Sequence, residues 1–251
     1  MNGIHLRPGP PLLAPRARPW AGLVLACCVI LVAVLGVLFA HQTRAGWLDH
    51  AIDSPIIAWL GGHRALVVWL AAPGSTIPAG VLCAAIVVTC LLTGRLNGAL
   101  LAAASALVAI GLDEALLKPL IHRTLLGSLV YPSGHTTAVF TLAATVTVLL
   151  VIPPQPARAG ALRVLIPAAA FALGVVVAIA LIGLRWHYFT DTVAGAAVGI
   201  GTVCGLALIL DLPTVRRWLA RACRQPPVAH EGRGPAARAG TQASGRAAPG
   251  G

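Results

Sequence analysis

Residues 20–40 read WAGLVLACCVILVAVLGVLFA, a run without one charged side chain. An α-helix rises 1.5 Å per residue, so about 20 apolar residues cross a hydrocarbon core of about 30 Å. This run is long enough. A secretory signal peptide has a shorter apolar region of about 7–15 residues and a small-residue cleavage site. The run here ends in Phe39-Ala40-His41, so it reads as a retained membrane span.

The bulk composition extends that reading to the whole chain. Of 251 residues 58% are hydrophobic and 10% charged, with a mean hydropathy of +0.87. Soluble domains carry about 25% charged residues. A chain this apolar cannot cover a water-facing surface with polar groups. The net charge of +11 does not point to nucleic acid, because a nucleic-acid reader gathers its basic residues on one folded face. Most arginines here lie in the tails and in short loops between apolar runs. The six cysteines are Cys27, Cys28, Cys83, Cys90, Cys204 and Cys223. The first five sit within apolar runs and read as small hydrophobes, without a disulfide framework or a zinc site.

Working outward from the first run, five more apolar segments follow, at about 76–93, 97–117, 135–152, 164–184 and 192–210. The fold class expected is therefore all-α, a polytopic membrane protein of about six transmembrane helices. Residues 42–64 alternate Trp47, Leu48, Ile52, Ile56, Ile57, Trp59 and Leu60 with Asp49, His50, Asp53 and Arg64, the pattern of an amphipathic helix in the membrane interface. Pro73-Gly74-Ser75 breaks the next apolar stretch, so a short re-entry near 65–72 is expected ahead of the second span. Pro153-Pro154 stops the fourth span, since proline lacks an N–H and disfavours helix in the residue before it. Residues 1–19 form a basic tail, 20–211 the membrane domain, and 212–251 a second basic tail expected to be disordered.

Cytoplasmic segments of membrane proteins are enriched in Lys and Arg. With the N-terminus inside, cytoplasmic segments hold 13 of the 18 Lys and Arg residues and outer segments hold 5. Both termini are then cytoplasmic, in an integral plasma-membrane protein. In this orientation loops 118–134 and 185–191 fall on the outer side. Together they present Lys118, His122, Arg123, Ser133, His135, Arg185, His187 and Asp191. Lys and Arg neutralise phosphate oxygens, and imidazoles titrating near neutral pH can attack or exchange protons. Pro132-Ser133-Gly134-His135 precedes the fourth span, where Ser133 can cap the helix and its first N–H groups can cradle a phosphate. His187 and Asp191, four residues apart, would share a helix face and hydrogen-bond if the helix starts near them.

These residues resemble the type 2 phosphatidic acid phosphatase family of membrane lipid phosphatases. That family carries Lys-x6-Arg-Pro, Pro-Ser-Gly-His and Ser-Arg-x5-His-x3-Asp in this order. The chain has Lys118-Pro-Leu-Ile-His-Arg123-Thr124, then Pro132-Ser133-Gly134-His135, then Arg185-Trp-His187-Tyr-Phe-Thr-Asp191. The resemblance covers roughly residues 45–211. It implies His187 as the nucleophile that forms a phosphohistidine, Asp191 as its orienting partner and His135 as the general acid. Lys118, Ser133 and Gly134 would hold phosphoryl oxygens, with no metal ion and no cofactor. The first and third motifs are degenerate: Leu125 and Leu126 replace Arg-Pro, and Ala180 and Leu181 replace Ser-Arg. Arg123 and Arg185 are the residues that could supply the missing phosphate contacts.

The expected activity is hydrolysis of a lipid phosphate or diphosphate, isoprenoid or phosphatidate-like, at the outer membrane face. The partners expected are that lipid and the bilayer, with no nucleic acid; the oligomeric state is open. A relative that only binds an anionic lipid or a partner, and a lipid phosphotransferase, are the alternatives. A transporter or channel would call for charge at the midplane of its spans, which the sequence lacks.

Overall fold

In a bilayer no water reaches the backbone, so each spanning segment must satisfy its own N–H and C=O groups as a helix. The apolar runs do so. The computed structural model describes residues 10–151 and 160–222. Its helices are α1 (Arg18–Phe39), α2 (Trp47–Leu60), α3 (Arg64–Ala71), α4 (Thr76–Leu92), α5 (Leu96–Ile110), α6 (Lys118–Ile121), α7 (Gly134–Leu150), α8 (Leu162–Gly183), α9 (Phe189–Leu210) and α10 (Pro213–Ala222). A two-residue hairpin, β1 (Thr124–Leu125) and β2 (Ser128–Leu129), lies between α6 and α7.

Among the described residues, five helical stretches are long and apolar enough to cross a membrane: Pro15–Phe39, Arg64–Leu92, Leu96–Ile121, Leu162–Gly183 and Phe189–Leu210. The shorter apolar helix Gly134–Leu150 makes a sixth candidate. The chain is thus the all-α, polytopic, membrane-type fold expected. Large apolar side chains such as Val37 (79% exposed) and Ile77 (79% exposed) face outward from these helices, where lipid rather than water is the fitting solvent.

Three expectations about elements change. Pro73-Gly74 does not divide a re-entry from a span. Residues 64–92 run as one helical path with a 3-10 turn at Ala72–Gly74, because a proline in the first turn of a new helical segment costs no hydrogen bond. The third span does not end near 117. A π-helical turn over Gly111–Leu117 carries it on to Ile121, so Lys118 stands on a helix rather than in a loop. Residues 213–222 of the tail expected to be disordered form α10, with Arg216, Arg217 and Arg221 beside buried Leu219. The remainder of that tail, residues 1–9 and the Pro153-Pro154 stop lie outside the described residues.

The bundle is organised around α7, which packs on α9, α8 and α5, while α1 lies along α9 and α2 and α3 lie on α8. Helices in lipid associate through close packing of small residues. Gly195 and Gly199, four apart on α9, supply this on the α7 side. A Cβ on Gly195 would lie 2.2 Å from Thr136 Oγ1, and one on Gly199 2.7 Å from the Thr137 carbonyl oxygen. The contact fixes the start of α7 beside the start of α9, which brings the second and third motifs together. At the other end Asp211 holds the N-terminal segment through Leu12 N–H and Leu13 N–H, each at 2.8 Å.

Candidate active site

Two adjoining clusters are built by the same chain segments. The first is a buried ion-pair hub around Arg123. Its guanidinium donates to Asp49 Oδ2 at 2.5 Å, to Asp191 Oδ1 at 2.6 Å and to Thr190 Oγ1 at 2.7 Å. Phe39 and Tyr188 sandwich it, with ring centroids 4.4 and 4.3 Å from Cζ. Arg123, Asp49 and Asp191 are all 0% exposed. Buried charges persist when paired and hydrogen-bonded, and each carboxylate here has further donors. Asp49 Oδ1 accepts from Thr190 N–H and Oγ1, and Asp191 Oδ2 accepts from Tyr188 N–H. Beside them Asp53 accepts from Phe189 N–H at 3.1 Å, and burial next to Asp49 pushes its carboxyl up to about 6.

The hub also ties the motif loops to one another. Val130 N–H bonds to the Arg123 carbonyl, Ser133 N–H bonds to the Asp191 carbonyl, and the Val130 carbonyl accepts from His187 Nδ1 at 3.0 Å. The three motif segments are therefore held by backbone bonds around one buried arginine.

The second cluster surrounds the polar end of a cavity of about 720 Å³ between α4, α5 and α7. Lys118, Gly134, His135, Arg185 and His187 line it, together with Asp113, Glu114 and Thr137. Its remaining wall is mostly apolar and small, with Ala79, Gly80, Ala106, Ala109 and Ala138. The π-helical turn puts Asp113, Glu114 and Lys118 on this wall. Lys118 pairs with Glu114, and its ammonium is 3.8 Å from Asp113 Oδ1. Gly134 admits this group closely: a Cβ there would lie 3.2 Å from Asp113 Oδ2 and 3.8 Å from Lys118 Nζ. Gly74 plays the same part behind His135, where a Cβ would come within 2.9 Å of the histidine Cβ. Trp186 stands against His135, with ring centroids 6.1 Å apart.

A carbonyl can only accept, so the bond to Val130 puts the His187 proton on Nδ1 and leaves Nε2 with its lone pair. Burial lowers the His187 pKa to about 3, with nearby His135 and Lys118 adding to the shift. The ring is therefore neutral at physiological pH, the state a nitrogen nucleophile needs.

Of the nine residues singled out in the sequence, eight divide between the two clusters, and His122 is exposed outside both. Lys118, Gly134, His135, Arg185 and His187 meet at the cavity. Arg123 does not. Expected at the phosphate, it is sealed in the hub, where two carboxylates already take its charge. Asp191 also belongs to the hub, and the imidazole it was expected to orient is held by Val130 instead; the helix begins at Phe189, so His187 precedes it. Ser133 is 0% exposed, makes no capping bond through its hydroxyl, and its N–H is taken by Asp191. Reading the sequence missed Asp49 as an anchor of the hub. The signal was there: Asp49 and Asp53 lie four apart, on one face of a helix that contains no Lys or Arg to pair with them. Among the described residues no three His, Cys, Asp or Glu side chains converge as a metal site would require.

A polytopic helical membrane protein with two histidines and two cations at the head of an apolar cleft is the class that fold and site define. The family model of the PAP2 superfamily, which includes lipid phosphatases, matches residues 118–213. The three motifs that carry the resemblance all lie within the matched segment. No curated protein and no solved structure matches the chain.

Proposed function

We propose that the protein is a membrane lipid phosphatase that cleaves a lipid phosphate or diphosphate at the outer membrane face through a phosphohistidine. The observation that carries this reading is the cavity itself. His187, His135, Lys118 and Arg185 stand at the polar end of a pocket whose other wall is apolar and lies among membrane-spanning helices. A lipid tail can remain in that wall while its phosphate reaches the histidines.

In the proposed sequence His187 Nε2 attacks phosphorus and the bond from phosphorus to the lipid oxygen breaks. His135 donates a proton to the departing oxygen. Water then attacks phosphorus, giving up a proton to His135, and the phosphorus–nitrogen bond breaks to release inorganic phosphate and neutral His187. The Val130 carbonyl, rather than a carboxylate, holds the nucleophile in the reactive tautomer. Arg185, Lys118 and the backbone at Gly134 neutralise the phosphoryl oxygens, which is the main demand phosphoryl transfer makes of a protein.

The test is phosphate release by purified, detergent-solubilised protein from phosphatidate, sphingoid-base phosphates and polyprenyl phosphates and diphosphates, with His187→Ala alongside. Release that is lost in the variant supports the reading. Release by the variant at the wild-type rate removes His187 as nucleophile, and no release by folded wild-type protein removes the phosphatase.

A further inference from the structure

A second cavity, of about 770 Å³, lies between α4, α7 and α8 and meets the first at Leu142, which lines both. It is a groove that runs along α4 from Arg95 towards Pro73. Apart from Thr89, Thr93 and Arg95 its wall is apolar. Both threonine hydroxyls are already donated within α4, Thr89 to the Ala85 carbonyl and Thr93 to the Thr89 carbonyl, each at 2.7 Å. Arg95 is left as the charged group of the groove. It is half-buried and donates from Nη2 to the Leu149 carbonyl at 3.2 Å. Among the described residues no carboxylate pairs with it. A guanidinium carries five N–H donors, so the bond to Leu149 fixes Arg95 at the end of the groove and leaves donors over. His135 and Leu149 lie in the first and last turns of α7, about 21 Å apart along its axis at 1.5 Å per residue. In a hydrocarbon core of about 30 Å the polar ends of the two cavities therefore stand towards opposite leaflets.

We propose that this groove binds an anionic phospholipid of the leaflet opposite His187, with an acyl chain along α4 and α7 and the phosphate on Arg95. The volume falls within the range of about 300–1,000 Å³ that ligand pockets occupy, and the apolar wall suits hydrocarbon. A cation among membrane-spanning helices calls for a counter-charge, and a guanidinium matches phosphate oxygens in bidentate fashion. A zwitterionic lipid brings its own cation beside the phosphate. An anionic lipid brings none, so its charge is free to compensate Arg95. A water-soluble ligand would find no polar partner other than Arg95, and a neighbouring protein helix would have to supply a carboxylate of its own. Lipid is the solvent already present at this face. By the distribution of Lys and Arg this leaflet is the cytoplasmic one. The lipid would act as a bound structural or regulatory ligand, separate from the phosphate chemistry at the first cavity.

The experiment titrates full-length, detergent-solubilised protein with dioleoyl phosphatidylglycerol or dioleoyl phosphatidylcholine and counts bound lipids by native mass spectrometry. The two lipids share their chains and differ in net charge. Neither carries a phosphate monoester, so the outcome does not depend on the phosphatase reading. A charge-assisted contact predicts about tenfold tighter binding of the first phosphatidylglycerol. Arg95→Gln should bring the ratio of the two lipids close to one. Ala170→Phe, which places a ring in the groove and leaves Arg95 in place, should weaken both lipids. Equal binding of the two lipids by the wild-type protein overturns the proposal without need of a variant. An unchanged preference in Arg95→Gln also overturns it, and would put the headgroup elsewhere, such as on the arginines of α10. Undiminished binding by Ala170→Phe overturns the placement of the chain in this groove, and does so even where Arg95→Gln fails to fold for want of its bond to Leu149. A wild-type dimer that takes up neither lipid overturns the proposal by seating a second copy in the groove.

Discussion

The hub around Arg123 and the cavity head around His187 draw on the same short segments and the same residue types, yet they are opposites. Lys118 and Arg123 are five residues apart, and His187 and Asp191 four. One member of each pair faces the cavity and the other is sealed in the hub. In the hub every charge meets a counter-charge and the water is excluded. At the cavity head the charges line an open cleft, and Arg185 is exposed. Residue type alone does not separate a structural cation from a binding one. Pairing and access do.

The sharpest division of labour is expected at His187. Its replacement by Ala should lower turnover by about 10⁴-fold or more, since removing a nucleophile removes the covalent route. Elution of the purified variant on size-exclusion chromatography should be unchanged. A variant that aggregates would place His187 in the hub's structural role rather than in catalysis.

Arg123→Met tests the other side. It leaves Asp49 and Asp191 buried without their cation, which costs about 3–5 kcal/mol. Denaturant unfolding in detergent should show that loss, and adding Asp49→Asn and Asp191→Asn should restore part of it. Full stability with weakened phosphate binding would return Arg123 to the phosphate, and the contrast between the clusters would fail.

Arg185→Ala should do the reverse of Arg123→Met. An exposed cation that contacts phosphate contributes about 1.5–3 kcal/mol as a charge-assisted hydrogen bond, so KM should rise roughly tenfold or more with no change in unfolding. An unaltered KM would make it an ordinary interfacial charge.

The smallest effect belongs to the hub's edge. The Asp53 carboxyl, held at about 6 in the folded protein, lies above its unfolded value of about 3.9. The folded state therefore binds the proton more tightly. The stability this contributes is complete below about pH 4 and is lost as pH rises through 6. Asp53→Asn, which keeps an acceptor for Phe189 N–H, should remove that decline. Thermal unfolding at pH 4.5 and 7.5 checks it: a wild-type midpoint whose pH dependence matches the variant's would show that Asp53 ionises freely.

Much of the fold was legible in the residues because the bilayer reduces the options. Runs such as 20–40 and 164–184 have no stable form in lipid other than a spanning helix. The interfacial pattern of residues 42–64 likewise announced α2. Punctuation was less reliable. Pro73-Gly74 reads as a break, but a 3-10 turn absorbs it and Gly74 is needed for the approach of His135. The π-helical turn at Gly111–Leu117, which contacts α7 and α9, left no pattern in the residues.

For the candidate site, the chemistry of Lys118, Gly134, His135, Arg185 and His187 could be proposed from residue type, spacing and membrane side, because an anion with a reactive centre calls for that mixture. The partners of those residues could not. Asp49 lies 74 residues before Arg123, and Val130 lies 57 before His187. Only the folded chain decides that the first pair buries an ion pair and the second orients an imidazole. The sequence by itself determined that this is a helical membrane protein with cations and imidazoles gathered near the ends of its apolar runs, since hydropathy and side-chain type are local properties. Tertiary structure alone decided which cation is buried and which is free, because a charge's availability depends on what the rest of the chain packs against it.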